Sequence, residues 1–274
     1  MKSQTDINEK MRAILIDWLV EVHLKFKLMP ETMYLTVNII DRYLEKKQVI
    51  RQKLQLVGVT AMLLASKYEE IYAPEVRDFV YITDKAYTKE QILAMEASML
   101  NTLEFRITVP TSFVFLNRYL KVASAAADPI RLGFFATYLA ERMLQEHRML
   151  SYTPSRVAAA AANIALRTIR GPAVWDRKLE HHTGFTQEAL RPCIKDIEEL
   201  MAAQPNSLKA VMKKYAVSGQ QQRRARASAQ RVLSHAHTHT HTLSHAPPLL
   251  TFPPSPLQLP KFGEVSGIAI VPLA

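Results

Sequence analysis

LVGVTAMLLASKYEE, from Leu56 to Glu70, and RVAAAAANIALRTIR, from Arg156 to Arg170, decide how this chain folds. Both are rich in small residues: Gly58, Thr60, Ala61, Ala65 and Ser66 in the first, Ala158 to Ala162 in the second. A helix without bulky side chains lets neighbouring axes come close, so each stretch reads as a central helix with others packed around it. The two lie about 100 residues apart, and TDKAYTKE from Thr83 is echoed at a similar offset by HTGFTQE from His182. The spacing predicts an internal duplication in which each half wraps a bundle around its third helix.

Working outward, the helix starts are punctuated. Pro30, Pro74, Pro129 and Pro154 each precede or open an apolar-periodic run, where the missing proline amide costs nothing, and Asp128 and Thr153 stand as N-caps. Thr88 with Gln91 makes a capping box, and Thr186 opens a similar run through Glu188. Helices are expected at about 8–27, 31–47, 51–69, 75–82 and 88–103, then at 111–124, 129–146, 154–169, 175–183 and 187–203. The fold class is therefore all-α: two tandem five-helix bundles over 1–108 and 109–216. Beyond Val217 the composition changes to Gln, Arg, a His/Thr alternation and a proline-rich run, so 217–274 is expected to be a disordered tail.

The 274 residues suffice for two domains, and their composition excludes several chemistries. Seven glycines, none clustered, cannot write a dinucleotide fingerprint or a phosphate-cradling loop. One cysteine, Cys193, forms no internal disulfide and no Cys-rich zinc site; it reads as a buried small hydrophobe. His23 and His147 are isolated and His181 adjoins His182, so none has the i, i+4 pairing that aims two imidazoles at one zinc ion. The run His237 to Thr242 reads as low-complexity sequence rather than a metal site. Apolar stretches are interrupted by Asp17, Glu21, Lys67 or Arg118, and the amino terminus lacks the build of a signal peptide, which together predict a soluble protein without a membrane partner. Of the net charge of +10, about +4 falls beyond Val217, where five basic residues face the single acid Glu264. The remaining +6 is modest for a nucleic-acid binder of this size.

Four charged residues break the apolar pattern. On the first helix Met11, Ile14, Leu15, Trp18 and Val22 form one stripe, while Ile16 and Leu19 form a second that includes Arg12. A guanidinium on an apolar stripe needs a carboxylate, and Asp41, within the apolar run of the second helix, is the natural candidate. Lys67 sits among Leu63, Leu64 and Ile71, and Glu96 among Ile92, Leu93, Met99 and Leu100. Such charges mark an internal ion pair or a partner surface, and the pattern alone favours the internal pair.

MRAILIDWLVEV from Met11, KLQLVGVTAMLLASKYEE from Lys53 and PEVRDFVYITDKAYTKEQILAMEASML from Pro74 resemble the cyclin box of the cyclins. IDWLVEVHLKFKLMPETMYLTVNIIDRYL together with ASKYEE is similar to the B-type mitotic cyclins of plants and green algae more than to the A type. The resemblance covers about 4–216, and TPSRVAAAAANIALR resembles the carboxy-terminal cyclin fold less specifically.

This resemblance implies a regulatory subunit rather than an enzyme, with no catalytic residue, cofactor or metal, in nucleus and cytoplasm. Its partner would be the catalytic subunit of a cyclin-dependent kinase, whose mobile helix it holds so that the kinase Lys–Glu pair reaches working geometry at mitotic entry. Lys67 and Glu96 match the family's charged kinase contacts, and Leu100, Phe105 and Ile107 its apolar ones. Met11, Ile14, Leu15, Trp18, Glu21, Leu54 and Gln55 match the patch that docks RxL segments of substrates and inhibitors, with Glu21 facing the basic residue. Arg12 and Asp41 match an internal ion pair. The resemblance thus moves Lys67, Glu96 and the Met11–Trp18 stripe toward partner surfaces. Cyclins of this type carry an amino-terminal destruction box, whereas this sequence starts almost inside the cyclin box and has a tail unlike the family's. A cyclin-fold nucleic-acid or transcription-factor module is the alternative reading, and it would need a denser basic stripe.

Overall fold

Helices account for the regular structure of this computed structural model, which describes residues 4–123, 129–171, 175–203 and 208–216; no strand occurs among them. The order is α1 (Glu9–Phe26), α2 (Pro30–Lys46), α3 (Arg51–Glu69), α4 (Val76–Ile82) and α5 (Lys89–Thr102), then α6 (Ser112–Ala123), α7 (Pro129–Met143), a 3-10 turn (His147–Ser151), α8 (Pro154–Arg170), α9 (Arg177–Thr183) and α10 (Gln187–Ala202). A last helical segment, α11, covers 210–216.

The small-residue helices lie at the centres of the two bundles. α3 packs against α1, α2, α4 and α5, and α8 against α6, α7 and α10. Closeness at α3 has a specific cause: a Cβ placed on Gly58 would lie 2.8 Å from Leu15 Cδ1 of α1. Ala158 to Ala162 are all buried, so α8 is enclosed on every side over that run.

Local chemistry sets the ends. Thr88 Oγ1 accepts from Gln91 N at 3.3 Å while Gln91 Oε1 accepts from Thr88 N at 2.8 Å. Thr153 and Thr186 cap α8 and α10 through the amides of Arg156 and Ala189, each at 3.3 Å. α4 starts at Val76 on a box between Glu75 and Asp78, so Pro74 precedes the helix without entering it. α2 has no cap of its own: Glu70, from the far end of α3, accepts from Met29 N at 2.7 Å and Thr32 Oγ1 at 2.5 Å. α7 stops at Met143, short of the expected 146. The 3-10 turn and α11 went unanticipated, each being too short for a period to register. Asp128 and everything expected of 217–274, including the His/Thr run, lie outside the described residues.

Candidate functional site

Arg12 is, with Arg142, one of the two largest fully buried side chains among the described residues. It donates from Nε to Asp41 Oδ1 at 2.5 Å and from Nη2 to Asp41 Oδ2 at 2.7 Å, a bidentate fork between α1 and α2. Nη1 reaches the carbonyl of Gln145, 133 residues away, at 3.3 Å. The guanidinium therefore joins α1, α2 and the segment after α7. Asp17 reinforces the seam, its Oδ1 accepting from Gln145 Nε2 at 2.7 Å and from Ala210 N at 3.0 Å. Tyr34 and Phe113, with ring centroids 5.3 Å apart, carry the apolar part of the same junction.

Lys67, in the last turn of α3, donates to Glu96 Oε1 and Oε2 of α5 at 2.7 and 3.0 Å. The charges pair with each other, as an internal ion pair would, with the lysine side chain 47 % exposed. Large apolar side chains are exposed nearby. Tyr68, Ile71 and Tyr72 follow on the end of α3 and just beyond it, all exposed, and Phe105 stands out from the turn after α5 at 67 %. Tyr68 Oη and Thr108 Oγ1 lie 2.5 Å apart, which brings the α3 terminus and that turn side by side. Glu104 and Phe105 both hold positive φ, 53° and 56°. Glu104 takes the left-handed position after the helix that glycine usually fills, and Phe105 N closes onto Leu100 O at 2.9 Å in a Schellman-type bond. A left-handed non-glycine residue costs about 1–2 kcal/mol, so the turn presents Phe105 to solvent against local preference.

Not every apolar residue assigned to this face is on it. Leu100 is half-buried, but Ile107 is only 8 % exposed and belongs to the core, because the chain turns inward after Phe105. The sequence reading passed over Tyr68, Ile71 and Tyr72 as surface residues. Their signal was available: three large side chains crowd the end of α3 with no helical stripe after them to cover them.

The patch on α1 divides in the same way. Met11, Ile14, Trp18 and Glu21 of α1 and Gln55 of α3 are half-buried, whereas Leu15 and Leu54 are fully buried at 1 % and 0 %. A stripe of five residues spans enough of the helix circumference to face two ways. The edge carrying Leu15 and Val22 turns onto α3, where Leu15 fills the space left by Gly58, and the edge carrying Ile14, Trp18 and Glu21 stays at the margin. Leu15 and Leu54 thus support the patch from beneath instead of lining it.

Other ionisable groups read as structural. Burial, assisted by Glu31 and Glu70, pushes the Glu69 carboxyl up. Burial pushes the Cys193 thiol up to about 12, leaving it a poor nucleophile. Tyr152 Oη donates to Asp196 at 2.7 Å, and that bond holds its phenol up at about 12. Among the described residues no group of three His, Cys, Asp or Glu side chains could hold a metal ion, and no helix is long and apolar enough to cross a membrane.

The family model described as "Cyclin, N-terminal domain" matches residues 1–108, and "Cyclin, C-terminal domain" matches 110–233. Cyclin-B1-5 of Oryza sativa subsp. japonica is 50% identical over 217 residues, covering 79% of this chain and 48% of that protein. Cyclin-B2-4 of Arabidopsis thaliana is 50% identical over 220 residues, 80% of this chain and 50% of its own. A G2/mitotic-specific cyclin of Glycine max is 50% identical over 215 residues, covering 78% and 82%. The chain therefore spans about half the length of the rice and Arabidopsis relatives. Among solved structures, a viral cyclin from herpesvirus saimiri superposes with a TM-score of 0.66 at 20% identity, covering 74% of this chain and 89% of that one. A chain of the CAK complex from Chaetomium thermophilum bound to ATP-gamma-S gives 0.56 at 17% identity, covering 80% and 79%. At these identities the structures speak for the fold alone.

Proposed function

The chain belongs to the cyclin family, and from that premise we propose that it is the non-catalytic regulatory subunit of a cyclin-dependent protein kinase, acting in mitosis. The observation that carries this reading is the Lys67–Glu96 pair at the end of α3, with Tyr68, Ile71, Tyr72 and Phe105 exposed at the α3 terminus and the neighbouring turn. Large exposed aromatics around a partly desolvated charge pair make the kind of surface on which a few residues dominate binding energy. Kinase contact falls on Lys67, Glu96, Leu100 and Phe105, with Ile107 supporting the turn from within.

Half-buried Met11, Ile14, Trp18, Glu21 and Gln55 form a separate docking patch for RxL segments of substrates or inhibitors. The mitotic phase is supported by the likeness to the Glycine max protein, named a G2/mitotic-specific cyclin, and action in nucleus and cytoplasm goes with that phase. In this reading 1–108 and 109–216 are the two cyclin boxes, and 217–274 adds nothing to kinase contact.

The test exchanges the charges, Lys67→Glu with Glu96→Lys, in the full chain. The exchange keeps the internal attraction and reverses what the partner meets. Coprecipitation with a cyclin-dependent kinase catalytic subunit and phosphorylation of histone should fall about tenfold or more, with helix content and melting unchanged. Undiminished kinase binding would overturn the assignment of this face. Unfolding of the variant would show instead that the pair serves the fold.

A further inference from the structure

Glu21, the carboxylate that the docking reading assigns to the arginine of an RxL segment, already faces a cation. Lys213 Nζ of α11 lies 3.9 Å from Glu21 Oε1, with both side chains partly exposed. Nothing in the first 200 residues foreshadows this contact, and its cause is the way α11 is fastened.

At one end of α11 the amide of Ala210 donates to Asp17, four residues before Glu21 on α1. At the other, Lys214 Nζ donates to both oxygens of the buried Glu141 at 2.7 and 2.9 Å, and Tyr215 Oη to Glu141 Oε2 at 2.7 Å. The Tyr215 ring meets those of Phe134 and Tyr138 edge-on at 5.1 and 5.4 Å. Ala210 and Val211 are buried beneath. The contacts advance in the same direction along both helices, Asp17 to Ala210 and then Glu21 to Lys213, so α11 runs alongside α1 and places Lys213 next to Glu21. Lys25, one turn after Glu21 on α1, has its ammonium 5.6 Å from the Tyr81 ring centroid.

We infer that Lys213 is a specificity-determining residue of the docking patch: a cation placed near Glu21 by the anchored α11, which an incoming arginine must share or displace. The inference rests on the docking reading above. A ligand guanidinium seeking a bidentate fork on Glu21 meets like charge a few ångströms away. Lys213 therefore weakens recognition of the arginine and shifts the balance toward the apolar anchor on Trp18. The contact is long and solvated, so its effect is that of a surface ion pair and falls as salt rises.

The experiment measures binding of two synthetic peptides to the full chain, one with an Arg-X-Leu core and one with citrulline in place of the arginine. Lys213→Gln should tighten the arginine peptide by about two- to fivefold and leave the citrulline peptide unchanged. Lys209→Gln, which removes the same net charge just before α11, should change neither. No change with Lys213→Gln, an equal change for both peptides, or the same gain from Lys209→Gln would overturn the inference. Trp18→Ala separates the two levels. If it weakens both peptides while Lys213→Gln does nothing, only the role of Lys213 fails. If it weakens neither, or if the wild-type chain binds neither peptide, the docking reading fails and this inference with it.

Discussion

Two ion pairs, Arg12–Asp41 and Lys67–Glu96, are built alike, with carboxylates 15 % and 13 % exposed, and differ in where the cation lies. Each spans 29 positions, and each makes two charge-assisted hydrogen bonds between neighbouring helices of the first bundle. Arg12 is 1 % exposed and has a further acceptor in the Gln145 carbonyl across the seam; Lys67 is 47 % exposed amid uncovered aromatics. A charge on an apolar face thus has two resolutions. Buried, it costs desolvation and must be fully satisfied, so it fixes how elements meet. Exposed, it is worth little to the fold and is available to a partner.

The largest expected effect breaks the buried member. Arg12→Ala or Asp41→Ala should each destabilise by about 3–5 kcal/mol, because the stranded partner stays buried, and the double variant should cost less than the two added. Urea denaturation of all four proteins checks this, and simple additivity would show that the pair acts as two independent residues.

Next in size is the docking patch, where exposure again decides. Trp18→Ala should weaken an Arg-X-Leu peptide by about 2 kcal/mol, roughly thirtyfold, while phosphorylation of a short kinase substrate lacking that motif stays nearly constant. Equal loss on both substrates would mean that Trp18 serves the core as Leu15 does.

A smaller effect comes from the buried imidazole of His23. His23 Nε2 lies 2.9 Å from the Met29 carbonyl, and burial first, then the nearby Lys214, hold its imidazole below the ordinary 6.5. The folded chain then takes up this proton less readily than the unfolded one. Its contribution to stability is complete above about pH 6.5 and is lost progressively as pH falls below that. The urea midpoint should drop less between pH 7.5 and 5.5 in His23→Gln than in the wild type; identical slopes would mean that His23 is not the group responsible.

The smallest stability effect belongs to the exposed pair. Lys67→Ala with Glu96→Ala should alter unfolding free energy by about 0–1 kcal/mol. A cost approaching that of the Arg12 variants would erase the distinction between the pairs.

Much of this was legible in the residues. Prolines, caps and the two small-residue runs located ten helices and their centres, because helix ends and close approach depend on chemistry within a few residues. Arg12 could be assigned to Asp41 because a guanidinium on a wholly apolar stripe has few carboxylates within reach. Leu15, Leu54 and Ile107 were misplaced onto surfaces because periodicity gives the angle of a side chain about its own helix and says nothing about what faces it. Glu70 as the cap of α2 could not be read at all, since its partners lie 38 and 41 positions away.

The all-α class, the tandem bundles and the family were readable from residues alone, since these rest on local propensity, helical period and long motifs that survive without coordinates. Which charges are buried depended on packing. Packing also decided which edge of the α1 stripe meets α3, and that α11 returns over nearly two hundred positions to set Ala210 on Asp17 and Lys213 on Glu21. Exposure depends on every element packed around a residue, and the contacts of α11 are fixed by an anchor on Glu141 that no local pattern encodes.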